Sequence, residues 1–240
     1  MALIIIATTF VAAFVQGVSG FGFALVAMPI LSGVTSIQIA APLVALTTLT
    51  NNLLLCLYYR QSFDRNVVKN LLLGSVLGIP IGFLALDYLP TALMLITLGL
   101  IIFAYSLYSL ASPVVPVLKS RLWAYAAGFS SGILLGCFNL PGPPIILYGS
   151  SQRWSQAMFK GNLSSFFWIS VAIVVVGHGF QHRISADIVR QFLIALPSLT
   201  LGLCLGIALA KKFDPNIFRK VVTILLAIVG VRLIISGIYL

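Results

Sequence analysis

The amino-acid sequence predicts an all-α polytopic membrane protein: two inverted repeats, each a broken-helix hairpin followed by three transmembrane helices. Three observations predict it. Apolar runs of membrane length fill the chain, two Gly- and Pro-bearing interruptions echo each other more than a hundred residues apart, and Lys and Arg gather on one side.

Hydrophobic residues make up 60% of the chain and charged residues 8%, whereas soluble domains carry about a quarter charged. The N-terminus begins apolar at Ala2, without a basic region or a small-residue cleavage site, so the first segment is expected to stay. The net charge of +10 does not indicate nucleic acid, because the 14 Lys and Arg are dispersed in short loops between apolar spans. In that position they set topology. Cys56, Cys137 and Cys204 are far apart and lack metal-ligand spacing, so neither a metal site nor a cofactor is expected. Cys56 and Cys204 are read as small apolar residues facing lipid or core.

A spanning helix needs roughly 20 apolar residues. Residues 2–17 form a helix that stops at Ser19-Gly20. Residues 22–33 form a second, too short to cross alone at about 1.5 Å per residue, and the pair reads as a hairpin of half-helices. Three spans follow at 36–59, 67–86 and 91–112, with Tyr58, Tyr59 and Arg60 as interfacial anchors. The first repeat is therefore 1–112, a connection runs through 113–120, and the second repeat is 121–240. Phe14-Val15-Gln16-Gly17 corresponds to Phe129-Ser130-Ser131-Gly132, and Pro29 falls opposite Pro144. After the second hairpin at 121–151 come spans at 158–178, 187–209 and 216–239.

Loop charge relates the halves. If each hairpin returns to its starting side, one face collects Arg60, Arg65, Lys69, Lys119, Arg121, Arg153, Lys160, Lys211, Lys212, Arg219 and Lys220, and the other only Arg183 and Arg190. Single broken crossings would split these charges almost evenly. The positive-inside rule prefers the inverted arrangement, with both termini outside the cytoplasm.

Breaks in a membrane helix are tolerated only where protein or a water-filled cavity receives the freed backbone groups. A helix resuming after a break presents its N–H groups and positive dipole end to that cavity, which suits an anion. The four acidic residues, Asp64, Asp87, Asp187 and Asp214, all sit in or beside loops, so no buried carboxylate is available for a cation or a proton relay. Hydrogen-bonding candidates are Gln16 and Ser19 beside the first break, Asn51 and Asn52 in their span, Asn139 in the second break, and Asn162. Amides donate to an oxyanion without adding a titrating group. Gly20, Phe21 and Gly22 form the first break, and Gly136 and Cys137 lead into the second.

Several of these residues have competing readings. Gly74, Gly78 and Gly82, like Gly202 with Gly206 and Gly128 with Gly132 and Gly136, fall at every fourth position, the spacing of close helix packing. Asn51 and Asn52 serve either as interhelical hydrogen-bonding groups or as substrate contacts. Lys160 either snorkels to the cytoplasmic interface or meets substrate, and Arg232 reaches the outer interface or a pore. His178 and His182 flank an outer loop.

The strings GVSGFGFALVAMPIL (Gly17 to Leu31) and GFSSGILLGCFNLPGPPIILYG (Gly128 to Gly149) resemble the two repeats of the sulfite exporter TauE/SafE family of membrane permeases. The resemblance covers nearly the whole chain. Family members have runs of glycine in each break; here Phe21 and Phe23 alternate with Gly20 and Gly22, and Cys137, Phe138 and Asn139 replace glycines in the second. The resemblance implies movement of sulfite or a small organosulfonate such as sulfoacetate across a plasma membrane, usually outward, with membrane lipids as surroundings and the small anion as partner. Proton linkage either resides on the substrate itself, as in bisulfite, or is absent. An anion channel and a sulfur-transfer enzyme using Cys137 are the alternatives; an enzyme is not expected, because no base lies near Cys137 in sequence.

Overall fold

The computed structural model describes residues 1–111, 116–118, 120–210, 212 and 214–239. Ser112–Val115 and Lys119, most of the expected connection between the repeats, lie outside the described residues, as does Lys211.

Among the described residues there are ten helices: α1 Ala2–Ser19, α2 Phe23–Ser32, α3 Ile37–Tyr58, α4 Arg65–Tyr88, α5 Thr91–Ala111, α6 Arg121–Phe138, α7 Gly142–Ser151, α8 Gln156–Phe180, α9 Ala186–Leu209 and α10 Pro215–Ile238. Seven are long and apolar enough to cross a membrane: α1, α3, α4, α5, α8, α9 and, within α10, Lys220–Ile238. The protein is an all-helical polytopic membrane protein. Its outer surface is apolar, with Leu3, Leu77, Leu201 and Ile228 among the exposed large side chains, as a lipid-facing surface requires.

Helix ends follow capping chemistry rather than the limits of the apolar runs. The expected span 67–86 starts two residues earlier because the Asp64 side chain accepts from the Asn66 and Val67 N–H groups at 2.8 and 3.2 Å. Ser155 does the same for α8 through Met158, at 3.3 Å. The expectation of paired half-helices is corrected for the first arms. α1 and α6 are each 18 residues long, about 27 Å, and α1 is of spanning length, whereas α2 and α7 have 10 residues each, about 15 Å. Each hairpin thus joins a long arm to a short one.

Contacts between helices exchange partners in a regular way. α4 packs along α6 and α1 along α9, while α3 pairs with α8 and α5 with α10. Exchanging first-half helices for their second-half counterparts maps the α4–α6 pair onto α9–α1 and leaves the other two pairs unchanged. Glycines give the directions. Gly74, Gly78 and Gly82 face Tyr125, Phe129 and Ile133 in turn, so α4 and α6 run parallel; Gly202 and Gly206 face Phe10 and Phe14, so α9 and α1 also run parallel. Gly99 faces Gly230 while Gly237 faces Ala92 and Ile96, so α5 and α10 are antiparallel. Cys56 against Ser165 and Tyr59 against Lys160 make α3 and α8 antiparallel.

These glycines matter because a Cβ would meet a backbone atom across the interface. At Gly17 it would lie 2.8 Å from Leu203 O, and at Gly82 it would lie 2.8 Å from the Cα of Gly136. In lipid the solvent supplies little drive for helices to associate, so close backbone approach and the dispersion contacts it brings hold the pairs together.

Candidate functional site: a cleft between two helix starts

Both chain breaks are built by left-handed caps. Gly20 ends α1 at φ 88° and donates its N–H to Gln16 O at 2.7 Å; Gly22 opens α2 at φ 105°. Only glycine adopts such a pair of conformations at little cost. Asn139 takes the corresponding left-handed role after α6, at φ 52°, and its Nδ2 donates to Ala41 O at 2.8 Å.

Each short arm is tied back to its long arm by a side chain. The Gln16 Oε1 accepts the Phe23 N–H at 3.2 Å, anchoring the first turn of α2. In the second half the Ser131 Oγ donates to Pro141 O at 2.7 Å, anchoring the start of α7. Ser131 is the residue that internal alignment sets opposite Gln16, so the two hairpins share one device built with different side chains.

The starts of the two short helices line one cleft. Gly22, Phe23, Ala24 and Leu25 come from the start of α2, Leu140, Pro141 and Gly142 from the second break, and Gln16, Thr48, Asn52 and Phe167 complete it. Gln16 Nε2 donates to Asn52 Oδ1 at 2.8 Å, and Asn52 Nδ2 donates to Thr48 O at 2.9 Å. Each amide nitrogen carries a second hydrogen. The first intrahelical bond of α2 runs from Val26 N–H to Gly22 O at 3.0 Å, so the Ala24 and Leu25 N–H groups precede the helical ladder. The Thr48 hydroxyl, fully enclosed, has no hydrogen-bond partner.

The profile of the sulfite exporter TauE/SafE family matches residues 5–233. The protein belongs to that family. A probable sulfite/organosulfonate exporter TauE of Cupriavidus necator is 26% identical over 229 residues, covering 93% of this chain and 90% of the relative. No solved structure matches. This TauE/SafE member is thus a membrane protein of a transport family, with a cleft where its two breaks meet that carries the polar side chains Gln16, Thr48 and Asn52.

Of the residues singled out from sequence, the cleft unites Gln16, Gly22 and Asn52. Asn51 is fully buried, and neither its Oδ1 nor its Nδ2 has a partner, but it does not line the cleft. Ser19 spends its hydroxyl on the first break, donating to Val15 O at 2.8 Å. Phe21 lies on the far side of Gly22, edge-on to Phe159 at 6.2 Å, in a more apolar cleft against α5 and α10.

Gly20 is covered by Lys160. The ammonium of Lys160 donates to Val18 O at 2.8 Å and sits 5.8 Å from the Tyr59 ring centroid. It therefore turns inward onto the C-terminal carbonyls of α1, where a cation opposes the helix dipole, instead of snorkelling outward. Asn162 secures the loop before α4, its Oδ1 accepting from Asp64 N–H at 2.7 Å. Gly136 lies within α6 against Ile79 and Gly82 of α4, and Cys137 is buried in the core; neither lines the cleft.

Sequence reasoning missed Thr48, Ser131 and Phe167. A signal existed for Thr48, one helical turn before Asn52, and for Ser131 through its alignment with Gln16. Phe167 carried none, since an apolar residue in an apolar span has no mark.

Proposed function

We propose that this protein is an alternating-access permease that moves a small sulfur-containing oxyanion, sulfite or an organosulfonate such as sulfoacetate, out across the plasma membrane. The observation that carries the reading is the cleft itself: two helix starts, one from each half, beside two side-chain amides and one hydroxyl, with no carboxylate among its lining residues. Helix N-termini favour anions through their dipoles and free N–H groups. Family membership and the relative's printed role support the sulfur anion as cargo.

Gln16, Asn52 and Thr48 would contact the anion, Gly22 shape its site, and Asn139 and Lys160 support the surrounding breaks. Antiparallel pairing of α3 with α8 and of α5 with α10 supports inverted repeats, a design in which two halves rock about a central site. The test is flux into proteoliposomes. Saturable uptake of sulfite and sulfoacetate, without uptake of sodium or a neutral amino acid, is expected; selective cation uptake would sink the reading.

A further inference from the structure

Each break sets the end of one helix against the start of the next, α1 against α2 and α6 against α7. A helix N-terminus carries roughly half a positive elementary charge and a C-terminus roughly half a negative one, so over a whole break the two ends nearly cancel. The free N–H groups at the start of α2 offer an oxyanion local bonds, but the helix ends by themselves give the centre of the molecule little net charge.

Lys160 changes that sum at the first break alone. Near the start of a spanning helix a lysine ordinarily extends to the interface. Here its stem lies over Gly20, its ammonium donates to Val18 O at 2.8 Å, and the Tyr59 ring centroid is 5.8 Å away. A carbonyl and an aromatic face both favour the charged form. Among the described residues no carboxylate pairs with this ammonium; Asp87 pairs with Arg183 instead. At the second break the last carbonyls of α6 accept the N–H groups of Asn139 and Leu140, at 2.9 and 3.2 Å, and among the described residues no Lys or Arg side chain bonds them. The end of α1 therefore meets a full positive charge, and the end of α6 does not.

A cation turned into a membrane protein without an acidic partner is costly, and such groups mark the paths of the ions they balance. Building on the permease reading, we propose that Lys160 sets the charge selectivity of transport. It cancels the negative end of α1 and leaves the first break net positive, so an anion in the cleft finds its counter-charge across Gly20 to Gly22. Lys160 does not line the cleft, so it acts through its field while the amides and the free N–H groups of α2 make the contacts. No charged residue lines the cleft, which leaves this ammonium without a substitute there.

The experiment uses the full chain in proteoliposomes and measures inhibition of radiolabelled sulfite flux by methanesulfonate, with one negative charge, and by sulfoacetate, with two. Lys160→Gln keeps a donor for Val18 O and removes the charge; Lys160→Arg keeps both. Coulomb energy scales with the product of the charges, so Lys160→Gln is expected to weaken inhibition about threefold for methanesulfonate and about tenfold for sulfoacetate. Lys160→Arg is expected to hold both inhibition constants within about twofold of the parent. Equal weakening for the two anions, or none, overturns the proposal, as does Lys160→Arg behaving like Lys160→Gln; the side chain then only fills the space over Gly20. Lys160→Met, which keeps the stem and removes the charge, gives the same reading where the glutamine variant does not fold. A parent protein that carries no sulfite overturns the permease reading itself, whatever the variants do.

Discussion

Gln16 does two jobs with one amide. Its oxygen holds the first turn of α2 and its nitrogen holds Asn52, so a single side chain fixes both the backbone and the polar wall of the cleft. Gln16→Leu keeps the bulk and removes both bonds, leaving a buried N–H and a buried carbonyl unpaired. Such groups cost about 1–3 kcal/mol each. Thermal unfolding in detergent should fall accordingly, and sulfite flux should drop by more than the stability loss explains; unchanged flux would show that the amide only braces the hairpin. Asn51 presents the opposite case, two buried polar atoms without partners, and the structure offers no physical account of it.

At the scale of elements, the helix pairs depend on backbone contact at glycine. A Cβ at Gly128 would run into Leu71 O, whereas a Cβ at Gly179 would meet nothing within 4 Å. Gly128→Val should therefore destabilise the α4–α6 pair by about 1–3 kcal/mol or more, while Gly179→Ala should stay within about 0.5 kcal/mol of the parent. Differential scanning of the two purified variants checks the contrast. Equal effects would mean that the spacing of four reflects tolerance to small residues instead of a packed seam. The breaks obey a different requirement: Gly20 and Gly22 are there for their positive φ angles, and only Gly20, covered by the Lys160 stem, also needs the missing side chain.

For the whole molecule, the proposed inversion has a consequence at the chain ends. With the basic loops in the cytoplasm, both termini face outward. A C-terminal alkaline phosphatase fusion should be active and a C-terminal green fluorescent protein fusion dark; the reverse pattern would overturn the assignment of sides. At the outward ends of α4 and α8 under that assignment, Arg183 pairs with Asp87, and Gln181 Nε2 donates to the same carboxylate at 3.3 Å. Burial lowers the affinity of the Arg183 guanidinium for its proton.

What the sequence by itself determined is the class of molecule and its chain plan. Apolar length sets the spans and Gly and Pro mark the breaks, because each of these acts along the chain or through the solvent around it. The family also was legible, from the two glycine-and-proline strings around the breaks. Only the tertiary structure decided which polar residues meet. Gln16 and Asn52 share the cleft while Asn162 and Lys160 serve other contacts, Thr48 joins the site, and Gly136 becomes part of a helix seam. The reason is geometric: which side of a helix faces a cavity depends on the rotation and crossing of its neighbours, and in a uniformly apolar chain no hydrophobic stripe records that rotation.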